Sequence, residues 1–221
     1  MGWFRNPPGR VRSVRRAAVS YAAHGWPVIP GVYANGGRCG CPRIGCRRAG
    51  LHPLPEGWEQ AATTDVLQVG CWWARHAWAI LLPTGQTVNV VELPTELGPA
   101  TASRLGDRAG PIAAAPGHRW LLFCAAEVER VTTSEEEWRS GLLLHSRGSW
   151  VPVPSNGGAR GRSGWIRPPR IVGWRLPGTG EVLAAARAAA ASTAAVYISL
   201  AHAAETGVSS GSAAFAGERS W

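Results

Sequence analysis

Lysine is missing from this chain: all 23 basic residues are arginine. Tyr and Phe number three each and Met occurs once, beside 12 Trp. Charged residues make up only 17% of the 221, against 45% hydrophobic, which excludes a disordered polyelectrolyte and supplies ample material for a core. No apolar run reaches the length of a bilayer span. The most apolar helical stretch, residues 184–204, is mostly Ala and carries Arg187, Ser192, Thr193 and Ser199. The basic N-terminal stretch from Arg5 to Arg16 is not followed by an apolar h-region, so no secretory signal is expected. These absences predict a cytoplasmic protein with no membrane partner. Internal repeats, a Gly-rich phosphate loop, a paired-Gly dinucleotide fingerprint and a nucleophile elbow are also missing.

What is present starts with charge. Against 14 acids the arginines leave a net charge of +9. Two readings stay open. With 28 Gly and Ala-rich stretches, arginine in place of lysine fits a high-GC coding bias. Arginine forks also suit phosphates and stack on bases, which fits a polyanion partner. The tryptophans are read as packing residues, since nothing in their spacing selects stacking platforms.

Residues 1–10 form a basic lead-in, and 11–178 hold one α+β domain with mainly antiparallel pairing. Val11, Val14, Ala18 and Tyr21 or Ala22 recur at helical spacing, and Gly25 ends that helix. Trp26 to Pro30 reads as a strand. Residues 31–57 read as a long irregular segment that needs a special reason to be ordered. A helix from Val66 to about His76 follows the N-cap Asp65. Strands are expected at 79–82, 88–93, 112–115 and 120–124, with a helix over 95–108. Two more, 142–145 and 150–153, are joined by Ser146-Arg147-Gly148. A helix over 179–206 and a disordered tail over 207–221 complete the chain.

Five cysteines are an odd number, and three fall within eight residues. Cys39, Cys41, Cys46 and His52 follow the pattern C-x-C-x4-C-x5-H. Three thiolates and an imidazole make a tetrahedral zinc set, with Gly and Pro letting a short loop, residues 37–53, wrap one ion. Four protein ligands leave no open position, so the expected zinc is structural. Arg38, Arg43, Arg47 and Arg48 lie in the same loop and are candidate phosphate contacts. Cys71 and Cys124, in apolar runs, are expected to be buried thiols.

The run from Ala18 to Pro30 resembles the opening of the bifunctional primase/polymerase (prim-pol) N-terminal domain. So does the ordered series that follows: a Cys/His insertion ending in His52-Pro53, then Gly57-Trp58, Ala62-Thr63-Thr64-Asp65, Trp72-Trp73 and Pro83-Thr84-Gly85. Gly148 to Ser155 looks like the family's glycine–aromatic strand ending in Pro and Ser. The resemblance spans roughly residues 11–178. It implies a prim-pol-like sheet flanked by helices, within the archaeo-eukaryotic primase superfamily. It also implies nucleotidyl transfer by two divalent ions, Mg or Mn, held by carboxylates.

That family pattern has an Asp-x-Asp ending a strand, a nucleotide-contacting His on a later strand, and a further Asp after it. Here the first acid position holds Glu92 and the second holds Pro94. Glu96 shares a strand face with Glu92 but sits about 13 Å away in extended chain, while paired metals lie about 3.5–4 Å apart. Trp120 falls at the His position, with His118 two residues earlier as a replacement candidate. No carboxylate falls near Leu143 or Leu144, where the last acid belongs. His76, His145 and His202 have no ligand-spaced partners. The expected protein is therefore a degenerate prim-pol domain that binds nucleotide or nucleic acid, DNA rather than RNA, in a replication or mobile-element context. The competing expectations are an active nucleotidyltransferase built on Glu92 and a non-enzymatic module that docks a replication protein.

Overall fold

The computed structural model describes residues 7–35, 38, 39, 41, 43, 46, 50–127, 131–155 and 164–207. Of the expected tail, 208–221 lie outside the described residues, and Gly207 belongs to the last helix instead. Helix α1 (Pro8–Ala23) starts three residues earlier than its periodicity suggests, because Pro8 fits the first helical position, where no amide donor is needed. It buries Val14, Ala18, Tyr21 and Ala22 along one stripe.

One antiparallel sheet is built on β1 (Ile29–Asn35), which pairs with β2 (Arg38–Cys39), β3 (Leu51–Pro53) and β4 (Ala79–Pro83). The segment expected to be irregular is thus partly strand. A single helical turn, α2 (Trp58–Ala61), follows it. Helix α3 (Val66–Trp72) is shorter than expected; its first amides, Leu67 and Gln68, donate to the Asp65 carboxylate.

The second antiparallel sheet has the order β10-β6-β7-β5-β8. Its strands are β5 (Val88–Pro94), β6 (Ile112–Ala115), β7 (Arg119–Ala125), β8 (Leu143–His145) and β10 (Gly164–Arg167). Helix α4 (Gly98–Leu105) links β5 to β6, and α5 (Glu135–Arg139) precedes β8. One more strand, β9 (Trp150–Val153), returns to the first sheet and pairs with β4. The segments 142–145 and 150–153 therefore do not form a pair: they belong to different sheets. Gly148, at φ +85°, lies in the turn that carries the chain across.

The other crossing, from β4 to β5, lies against this one. The Thr84 amide donates to the Ser149 carbonyl at 3.0 Å, and the Thr84 hydroxyl to the Ser146 carbonyl at 2.6 Å. Gly85, at φ +92°, passes so close to Arg147 that an added Cβ would sit 2.2 Å from its amide nitrogen.

Alternation along β5 assigns the two faces of the second sheet. Val88 and Val90 face a core shared with α1, α3 and the first sheet, which includes Trp26, Trp73, Ile80, Leu82 and Phe123. Val91 and Leu93 face a second core with Leu105 of α4 and with Val182, Leu183 and Ala186 of α6 (Thr179–Gly207). Most of the expected packing role of tryptophan holds among these residues; Trp138 is 63% exposed. Cys124 is buried as expected, whereas Cys71 is exposed.

Candidate functional site

Glu92 takes the next place after Val88 and Val90 on the face toward the first core. It is opposite Leu121 of β7 and Leu143 of β8. Diagonal neighbours on that face are Arg119 and His145. Arg119 Nε donates to Glu92 Oε1 at 2.7 Å, and His145 Nε2 donates to Oε2 at 2.7 Å. The second Arg119 nitrogen, Nη2, donates to the Gly141 carbonyl. His145 Nδ1 meets the Ser149 hydroxyl at 3.0 Å; in the neutral ring that hydroxyl is the donor. Burial pushes the Glu92 carboxyl upward, but the His145 and Arg119 donors outweigh it and hold the group below its usual value.

Both oxygens of this carboxylate are thus engaged by protein donors. Strand register bears on three of the expectations around it. Trp120 pairs with Leu93, so it points away from Glu92 and packs on Gly98 of α4; the residue presented to Glu92 is Arg119. His118 is exposed at the turn between β6 and β7, at φ +58°, and its carbonyl accepts from the Thr95 amide, so it is not on the strand. Finally, His145, which has no ligand-spaced partner in the sequence, meets Glu92 across the sheet. Glu96 lies exposed in the turn after Pro94, where the chain leaves the strand at once.

The second constellation is the Cys/His loop. Cys39 on β2 is opposite Ala34, and His52 on β3 is opposite Val32. One strand therefore sets both residues two positions apart. Ligand atoms of Cys39, Cys41, Cys46 and His52 all lie within 4.8 Å of one another. Cys39 Sγ is 2.9 Å and Cys46 Sγ 3.8 Å from His52 Nε2. Ligands around a tetrahedral zinc sit about 3.5–3.8 Å apart, so little movement closes the set on an ion. His52 Nδ1 donates to the Pro53 carbonyl at 2.8 Å, which fixes the tautomer that leaves Nε2 available as a ligand. Burial pushes the Cys39 thiol up to about 11, and the neighbouring thiols of Cys41 and Cys46 add to that rise. None of the five cysteines forms a disulfide. The group can hold a metal ion.

Of the loop arginines, Arg43 is ion-paired with Glu56 at 3.0 Å, and Glu56 is 83% exposed. Arg47, Arg48 and the side chain of Arg38 lie outside the described residues. No helix among the described residues is long and apolar enough to cross a membrane.

The family model for the N-terminal domain of bifunctional DNA primase/polymerase matches residues 18–186. That is most of the chain, and the chain belongs to this prim-pol family. No curated protein and no solved structure matches it.

Proposed function

We propose that this is a prim-pol domain whose catalytic metal site has been replaced by an ion-paired cluster. It binds nucleotide or nucleic acid and does not polymerise. The observation that carries this reading is the engagement of Glu92 by Arg119 and His145. Two-metal transfer needs several carboxylates with lone pairs aimed at the ions. Here one carboxylate stands at the position, and both of its oxygens accept protein hydrogen bonds. The guanidinium also brings a permanent positive charge to the place where the family's divalent ions are held. A proline fills the second acid position and leucines fill the last.

The Cys39, Cys41, Cys46 and His52 set would hold a structural zinc, since its four ligands leave no place for substrate. The net charge of +9 and the family's activity support a nucleic-acid partner, with DNA favoured over RNA.

Primer extension and de novo priming with magnesium or manganese test the reading. Wild type and Glu92→Ala are compared beside a family member with intact acids. No product from either form is expected. Product from wild type that disappears in Glu92→Ala overturns the reading and establishes an enzyme with a rebuilt metal site.

A further inference from the structure

A pocket of about 530 Å³ opens between α1 and the segment that runs from β10 into the 3-10 turn Pro169–Val172. Glu92, Arg119 and His145 are not among its lining residues. Three strand spacings separate β10 from β5, which puts the pocket wall about 14 Å from the Glu92 strand. Its volume is that of a small-molecule site.

The lining combines two kinds of group. Trp165, Trp174 and Tyr21 supply aromatic surface, while Arg16 and Arg170 supply charge. No carboxylate lines it. Neither guanidinium has an ion-pair partner among the described residues, although other exposed arginines, such as Arg139 and Arg187, do. Two uncompensated cations beside one aromatic cavity favour an anionic ligand with a flat apolar part.

The rings are held in place. Trp165 Nε1 donates to the Tyr21 hydroxyl at 3.1 Å, and that hydroxyl donates to the Pro154 carbonyl. Trp174 is stacked on His24 with centroids 3.8 Å apart and planes 9° apart. Its backbone sits at φ +60°, directly after Gly173 at the same angle. Holding a bulky residue in the left-handed region costs stability. The chain meets that cost at a residue whose side chain lines the pocket, with the Trp174 amide tied to the Pro169 carbonyl at 2.8 Å.

We propose that this pocket binds a nucleobase carrying a phosphate: the indoles of Trp165 and Trp174 take the base, and Arg16 and Arg170 take the phosphate. The ligand is either a free nucleotide or one unit of a single strand. This assignment rests on the reading that the chain binds nucleotide or nucleic acid, and it places that binding away from the family's catalytic position.

The test is fluorescence anisotropy on the full chain with labelled ten-nucleotide oligo-dT, and calorimetry with dTMP, each from low to moderate salt. The proteins are wild type, Arg16→Ala/Arg170→Ala and, as a remote control, Arg139→Ala. The double variant should lose at least tenfold in affinity, and its log–log salt slope should fall by about 0.7, the loss of one neutralised single-strand phosphate. Trp174→Phe should weaken binding several-fold and leave the slope unchanged. Circular dichroism confirms that each variant folds. Binding of dTMP alone identifies a nucleotide pocket; binding of the oligonucleotide only identifies a strand contact. A double variant that binds within twofold of wild type overturns the site and leaves the broader reading standing. No binding by wild type in either arm overturns both.

Discussion

Replacing Arg119 by Met removes the charge next to Glu92 and keeps most of the side-chain volume. The pair is largely shielded, with side-chain exposures of 18% and 20%, so solvent screening is modest. The change deletes a charge-assisted bond to Glu92 and the bond to the Gly141 carbonyl, and leaves the carboxylate with His145 alone. Bonds to charged groups contribute about 1.5–3 kcal/mol. The expected loss is therefore about 2–3 kcal/mol, or roughly 4–12 °C in Tm for a chain of this size. Glu92→Gln in the same background completes a double-mutant cycle, read by urea unfolding, with an expected coupling of at least about 1 kcal/mol. The pH dependence has a definite sign. Glu92 is held below its usual value of 4.5, so the pair's stability is fully present above that pH and is lost as pH falls through the lower folded value. The gap between wild type and Glu92→Gln should narrow as pH falls below about 4. Additivity within about 0.5 kcal/mol, or a gap that does not change in acid, would refute the claim that Arg119 stands in for a cation.

Purified chain should carry about one zinc per molecule, measured by mass spectrometry, and Cys39→Ser or Cys46→Ser should abolish it; metal-free protein under reducing conditions counts against the assignment. Gly98→Ala should destabilise by about 1–3 kcal/mol, because the added Cβ would lie 2.3 Å from the Trp120 ring. Trp120→Leu in the same chain should recover part of that loss, and thermal melts read both. Tyr21→Phe leaves the Trp165 indole N–H and the Pro154 carbonyl without their shared partner. The expected cost is about 1–3 kcal/mol, seen as a shifted urea midpoint.

Local features were the legible ones. Helical spacing from Val11 to Ala22 located α1, and Asp65 marked the start of α3, because both depend on neighbours within a turn. The four Cys/His positions were legible for the same reason: all lie within 14 residues, and their chemistry names the ligand. The Glu92 cluster was not. Its partners are 27 and 53 residues away, joined only by strand register. Counting back from the apolar tail of β7 puts Trp120 at the family's His position, but only strand register shows that Arg119, one residue earlier, is on the face of Glu92, since neighbouring strand residues take opposite faces. His145 gave a faint signal, directly beside the place where the last acid was sought. The two-sheet arrangement was equally hidden, since a short Ser-Arg-Gly link shows that two strands follow one another but not which sheet each joins.

The paired crossings at Thr84–Gly85 and Ser146–Ser149 also determine how the molecule comes apart. The first sheet draws its strands from residues 29–83 and then from 150–153, while the second takes 88–145 and then 164–167. No single cut of the chain releases either sheet whole. A fragment ending after β8 lacks the strand that pairs with β4, and one beginning at β5 lacks most of the first sheet. The two halves must therefore melt as one cooperative unit, with calorimetric and van't Hoff enthalpies in agreement, and neither can be excised as an independent domain.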